Sequence, residues 1–356
     1  MKLITATIVN SWELIKGYSC WMMFSFLLSG ILHNFLKPEF FQKNLGDTKI
    51  ASLFKAALSG LLLPICNCGV VPLGISLYYS GAYLGNVMAF MIATPVINPA
   101  ALLICLAILG PKLTLIYAIG GTIASVIAGY ATNLVCRNEL MSPFAQNNKI
   151  ELSSIGHQSF AEKFLGGLKW GFAFLGKEII QFALPASIFG AFFLTVVPTS
   201  VIQKFLSRPD LVSILGACAL GCIMDICAIG HIPFVGALIG AGASPGTAIT
   251  YLLSGTGTDI PALVNINKFL GRKAAVIYGV SLTTASVILG YTANILLKNF
   301  VPIFDVSLNQ DKLLMADKIF ISFPEWFEVV CGTGMIGMFV WGFIPKVTNF
   351  INRGKA

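Results

Sequence analysis

The strongest constraint on this chain is a succession of apolar stretches, each long enough to cross a bilayer and nearly empty of charge. They run at about 17–36, 53–79, 82–108, 112–136, 171–197, 211–237, 244–267, 273–298 and 327–345, against roughly 20 apolar residues for one crossing helix. Only 11% of the 356 residues are charged and 56% are hydrophobic, where soluble domains carry about 25% charge. Backbone polar groups in lipid must be satisfied within the segment, which leaves helices for segments of this length. An all-α polytopic membrane protein is therefore expected, with roughly 7–10 membrane segments in a lipid bilayer. The net charge of +8 belongs to loops flanking spans. No basic stripe with interleaved aromatics points to nucleic acid. The first long apolar run starts late and no small-residue cleavage site is evident, so a cleaved signal peptide is not expected.

The chain repeats itself at an offset of 161 residues. Ala124-Ser125-Val126-Ile127 with Gly129-Tyr130 falls on Ala285-Ser286-Val287-Ile288 with Gly290-Tyr291, and Asn133 falls on Asn294. Ile116-Tyr117 falls on Ile277-Tyr278, and Pro72 on Pro233. A constant offset over more than a hundred residues signals duplication. The expected organisation is a first unit over 1–136, a polar linker over 137–168, a second unit over 169–300, and an extra loop with a final span over 301–356. If 53–79 and 211–237 are re-entrant hairpins, each unit crosses three times and 15 of the 23 basic residues share one side. If every stretch crosses, the division is 13 to 10. The excess of positive charge on cytoplasmic loops favours the first arrangement, with inverted units and a cytoplasmic C-terminus.

Each unit holds two helix breaks. In the first unit they are Pro64–Pro72, with Gly69 between, and the stretch Thr94 to Pro99 with Pro95, Asn98 and Pro99. In the second they are Asp225 to Pro233, with Cys227, Gly230 and His231, and Ser254 to Pro261, with Thr256, Gly257 and Asp259. Proline removes a helical hydrogen bond and glycine loosens the backbone. Irregular backbone at membrane depth survives only where protein buries it or a cavity receives it. Interrupted helices at corresponding places in two halves point to a transporter's substrate site. Proline kinks that relieve helix packing are the alternative. They account for the prolines but not for the Asp, Asn, His and Cys gathered beside them.

Cys66-Asn67-Cys68 places two thiols around an amide at the first break, a pairing that suits Cu(I), zinc or a trivalent metalloid. A closed structural zinc site wants four ligands, so Cys227 and His231 would have to join from the other unit, with Cys222 also conceivable. Two packed thiols beside a kink are the bland alternative. Cys20, Cys105, Cys136, Cys218 and Cys331 lie along apolar segments and read as small buried hydrophobes. Asp225 and Asp259 are costly at membrane depth and functional by default, although carboxylates also cap broken helices. Asp259 falls near Asn98 in the repeat comparison if a one-residue gap is allowed. No phosphate-binding loop of the G-x-x-x-x-G-K-[ST] kind occurs, and no cofactor is implied.

Cys66-Asn67-Cys68-Gly69-Val70-Val71-Pro72-Leu73, Ser80-Gly81-Ala82 and Ala93-Thr94-Pro95-Val96-Ile97-Asn98-Pro99, with Gly255-Thr256-Gly257-Thr258-Asp259-Ile260-Pro261 in the second half, resemble a predicted-permease family. That family includes the ArsP organoarsenical efflux permeases and proteins assigned as copper, zinc or other heavy-metal exporters. The resemblance covers about 15–300. It implies a metal or metalloid efflux permease of the cytoplasmic membrane, driven by an ion gradient, and not an enzyme. The expected substrate site comprises Cys66, Asn67, Cys68, Asn98, Asp225, Cys227, Thr256 and Asp259, with Cys66, Cys68, Cys227 and His231 as metal ligands. Gly69, Gly230 and Gly257 would let the backbone approach the cargo. A transporter of a small organic or sulfur-containing solute needs the breaks without the thiols. A membrane thiol-redox protein needs the thiols to cycle to a disulfide. A homo-oligomer is compatible with any of these.

Overall fold

The computed structural model describes residues 2–35, 45–60, 67–140, 160–196, 206, 210–223, 232, 235–236, 238–239, 243–297 and 324–353. All its regular elements are helices. They are α1 (Lys2–Phe35), α2 (Ile50–Ser59), α3 (Asn67–Tyr79), α4 (Leu84–Ile97), α5 (Pro99–Ile108), α6 (Gly110–Val135), α7 (Phe160–Leu168), α8 (Lys177–Val196), α9 (Leu211–Ile223), α10 (Pro245–Gly257), α11 (Ile260–Phe269), α12 (Arg272–Leu296) and α13 (Glu325–Arg353). A wider π-helical stretch, Lys169–Gly176, joins α7 to α8.

Among the described residues, five helices are long and apolar enough to cross a membrane: Thr7–Ile31, Gly110–Val135, Ala161–Phe189, Arg272–Leu296 and Glu325–Phe343. Counting Leu84–Ile97 with Ala101–Ile108, bent by 43°, as one span makes six. The side-chain pattern explains why these helices belong in lipid. On α6, Leu115, Ile119, Ile123, Ile127 and Leu134 are exposed, at helical spacing along one face. On α12, Val276, Val280, Ile288 and Ile295 do the same. The opposite face of α6 buries small residues (Gly120, Gly121, Ala124, Ala128 and Gly129). Small residues let helices approach where lipid supplies no hydrophobic drive between them. The chain is an all-α multi-pass membrane protein.

The 161-residue offset reappears in the packing. α2, α4, α5 and α6 correspond to α9, α10, α11 and α12. Asn133 Oδ1 accepts from the Gly85 N–H at 3.1 Å, and Asn294 Oδ1 accepts from the Gly246 N–H at 2.7 Å. In both cases an amide side chain on the long helix satisfies a first-turn donor that has no partner in its own helix. Gly129 fits against Gly85, and Gly290 against Gly246, in crossings with no room for a Cβ. The turns into α6 and α12 pass through Gly110 at φ 80° and Gly271 at φ 99°, a left-handed conformation that glycine adopts without penalty. α6 and α12 then pack against each other across the two units, with Leu289 filling the space over Gly120.

α1, α8 and α13 form a flanking layer. α1 begins well before the expected stretch 17–36, and α7 already occupies part of the expected polar linker 137–168. Glu162 and Lys163 disguise α7 as linker in the sequence. Gly167 nonetheless sits against the backbone of Gly30 on α1, and Gly171 against the carbonyl of Phe26. Two prolines expected to break helices do not. Pro72 lies inside α3 and Pro95 inside α4. Pro72 is five residues after the start of α3, and Pro95 is two residues before the end of α4. Each costs its helix one hydrogen bond, within the first two turns of α3 or the last two of α4.

Candidate functional site

The break in the first unit falls on one residue. α4 ends at Ile97, Asn98 adopts φ −53° and ψ 128°, and α5 starts at Pro99, whose missing N–H is no loss at a first helical position. In the second unit α10 ends at Gly257, Thr258 is non-helical, and Asp259 adopts φ −63° and ψ 148° as the N-cap of α11. Its Oδ1 accepts from the Ala262 N–H at 2.7 Å. The backbone carbonyls of Asn98 and Asp259 accept from Leu102 and Leu263 at 2.9 and 3.2 Å. These contacts are 161 residues apart, so Asn98 and Asp259 are direct counterparts and the expected one-residue gap is unnecessary. Pro99 opens α5, while Pro261 is the second residue of α11, so the prolines themselves are not counterparts. Both junction residues are buried, each 4% exposed.

A hydroxyl-rich shell surrounds the second break. Thr256 and Thr258 donate to Leu252 and Ser254 carbonyls, each at 2.7 Å. The Thr258 hydrogen is thereby committed, so the Cys222 thiol, 3.1 Å away, is the donor to Thr258 Oγ1. Cys218, one turn earlier on α9, lies 3.6 Å from Ser286 Oγ and interacts with Cys222. Tyr117 of α6 has the Thr256 side chain of the other unit within reach. Its counterpart Tyr278 on α12 is completely buried, and its hydroxyl has no hydrogen-bond partner among the described residues. Tyr278 is within electrostatic reach of Asp259, and a Cβ placed on Gly257 would lie 3.9 Å from its hydroxyl.

The sequence-predicted site is brought together only in part. Asn98, Thr256 and Asp259 sit at the two breaks with Pro95, Pro99, Gly257 and Pro261 around them. Asn67 and Cys68 begin α3 and Gly69 is buried in it. Pro64, Cys66, Asp225, Cys227, Gly230, His231 and Pro233 lie outside the described residues. No group of three or more His, Cys, Asp or Glu side chains placed to hold a metal ion occurs among the described residues. The Leu282 side chain fills the space where a Gly257 side chain would lie, so helix packing alone accounts for that glycine. Cys20, Cys105, Cys136 and Cys331 are buried, as expected of small hydrophobes. Cys218 is buried too, but its thiol lies within hydrogen-bonding distance of Ser286 Oγ. The four-residue spacing of Cys218 and Cys222, which puts both on one helical face, was the available signal. Tyr117 and Tyr278 could have been found as phenols repeated inside two otherwise apolar spans.

The sequence profile of a family described as predicted permeases, ArsP_1, matches residues 7–295. The UPF0718 protein MJ0584 of Methanocaldococcus jannaschii is 24% identical over 78% of this chain and 92% of its own. The UPF0718 protein YcgR of Bacillus subtilis is 26% identical over 67% of this chain and 80% of its own. A Streptococcus mutans protein, named as a subunit of a two-component membrane permease complex, is 22% identical over 69% of this chain and 81% of its own. No solved structure matches. With the match spanning both units and both described breaks, this chain belongs to the ArsP_1 family of predicted permeases.

Proposed function

We propose that this permease exports a soft metal ion or a trivalent metalloid, organoarsenicals included, across the cytoplasmic membrane. The carrying observation is that two broken helices present buried polar residues, Asn98 and Asp259, at one position of a duplicated unit. Cys66 and Cys68 at the head of α3 would take the soft cargo, with Asp225, Cys227 and His231 joining from the second unit. Export would be coupled to an ion gradient. Alternating access would come from one unit, 1–136, rocking against the other, 169–300, about the α6–α12 contact. The units would be inverted, with re-entrant hairpins at 53–79 and 211–237. By similarity to the S. mutans protein, the chain would work with a second subunit or with another copy of itself.

The test is binding to the purified protein under reducing conditions, with Cu(I), Zn(II), Cd(II), Hg(II), arsenite and a methylated trivalent arsenical as the panel. Wild type is compared with the Cys66→Ser/Cys68→Ser double variant under thiol competition. Selective binding that disappears in the double variant is expected. Equal binding by both proteins would remove the thiols from the site. It would favour a second reading, transport of a small organic or sulfur-containing solute, which the hydroxyls of Thr256, Thr258 and Tyr117 around the second break already suit.

A further inference from the structure

We propose that Asp259 is a proton-carrying site and that Tyr278 is the hydrogen-bond donor that receives its carboxylate once the proton has left. Within the permease reading, on which the role rests, this is the coupling proton.

Three observations support the assignment. First, Asp259 is 4% exposed at a helix break, where an ionised carboxylate loses nearly all of its hydration. Second, the duplication supplies an internal control. Asn98 holds the same backbone position without a charge, so the break itself needs no ionisable group. The cap to the Ala262 N–H needs only an acceptor oxygen, which a neutral carboxyl or an amide also offers. Third, the Tyr278 hydroxyl is fully buried, lacks a partner among the described residues, and lies beside Gly257 within electrostatic reach of Asp259. A phenylalanine would fill the same volume without a stranded donor. Tyr117, the counterpart of Tyr278, has the Thr256 side chain within reach of its hydroxyl. The residue that corresponds to Thr256 in the first unit is Pro95, which has no hydroxyl.

The other ionisable groups among the described residues that pack near α11 are placed differently. Cys222 faces Asp259 from α9, but its hydrogen is directed to Thr258. From α8 and α3, Glu178 pairs with Lys268 and the Tyr79 hydroxyl contacts the Phe269 carbonyl, both at the far end of α11. In the proposed step the carboxyl O–H of Asp259 dissociates, its proton passes to water on the open side, and the phenol O–H turns to donate to the carboxylate while keeping its own proton.

The deciding measurement is an infrared pH titration of the full-length protein in lipid, following the carbonyl stretch of protonated carboxyl groups. It needs no cargo, so failure of the metal-binding panel leaves it standing. Wild type should show a protonated-carboxyl band that titrates, and Asp259→Asn should lose that band while melting near the wild-type temperature. Tyr278→Phe should keep the band but move its midpoint upward by roughly one pH unit, because the charged form loses its donor. Tyr117→Phe should leave the midpoint in place. Retention of the full band in Asp259→Asn would overturn the proposal, as would a Tyr278→Phe midpoint equal to wild type.

Discussion

The two units are built on one backbone plan and carry different chemistry. Five apolar positions around the first break are polar around the second, and its amide becomes a carboxyl. Ala57 corresponds to Cys218, Ala89 to Thr250, Ala93 to Ser254, Pro95 to Thr256, Ile97 to Thr258 and Asn98 to Asp259. In the second unit these polar groups satisfy one another and their own helices. Thr250 donates to the Ser286 carbonyl, Thr258 receives the Cys222 thiol, and Asp259 caps α11. The shared features are backbone devices, namely the Gly85–Gly129 and Gly246–Gly290 crossings, the Asn133 and Asn294 amides, and the Gly110 and Gly271 turns. Duplication has kept the scaffold and let the side chains at the breaks diverge. The first described break is the plainer of the two, and the second is where ionisable and hydroxyl groups gather.

One divergence conserves volume. In the first unit Gly121 on α6 receives Val96 from α4, whereas in the second Leu282 on α12 fills the space over Gly257 of α10. The glycine has changed helices and the large side chain has changed with it. Gly121→Leu alone should drive a branched side chain into Val96 and cost about 3 kcal/mol, within the range for overpacked cores. Adding Val96→Gly copies the second unit's solution and should restore all but about 1 kcal/mol, the remainder reflecting glycine inside a helix. Thermal melting of the two single variants and the double variant, as a mutant cycle, measures this. Additive losses would mean that the units do not share a common packing plan at this contact.

The next effect compares the two amide clamps. Asn133→Ala leaves the buried Gly85 N–H without its acceptor, at a cost of about 2 kcal/mol. Asn294→Ala does the same to Gly246. The helices differ in their other supports. Ser244 caps α10 by accepting from the Thr247 N–H at 3.2 Å, whereas Tyr83 provides no side-chain cap for α4. Asn133→Ala should therefore lower the melting temperature more than Asn294→Ala. A reversed order would show that the Ser244 cap does not share the load at the start of α10.

Legibility followed the kind of constraint. The duplication could be read because backbone crossings and left-handed turns admit few residues, so Gly129 and Gly290 or Asn133 and Asn294 stayed identical. The second break of each unit could be read from its prolines, yet its location could not. Pro95 sits comfortably near a helix end, and the chain turns at Asn98, a residue without strong helix-breaking character. α7 was hidden because its charges resemble a linker, while its glycine contacts with α1 depend on which helix lies opposite. Cys218 was hidden for a similar reason, since a thiol on an apolar helix reads as packing until Ser286 and Cys222 are placed beside it. The orphaned hydroxyl of Tyr278 could not be read at all, because it depends on the absence of a partner in three dimensions.

The smallest effects concern the two tyrosines and bear most directly on the comparison of the units. Tyr117→Phe removes a hydroxyl that has the Thr256 side chain of the other unit within reach. It should cost about 1 kcal/mol, the usual net worth of one hydrogen bond. Tyr278→Phe removes a hydroxyl that has no partner among the described residues, so it should be neutral or raise the melting temperature slightly. Residues related by duplication would then answer the same substitution with opposite signs, because one hydroxyl serves the fold and the other is held for Asp259. Equal losses at both positions would show that Tyr278 is already satisfied in the resting protein. The second unit's polar shell would then be a structural network rather than a site awaiting a proton's departure.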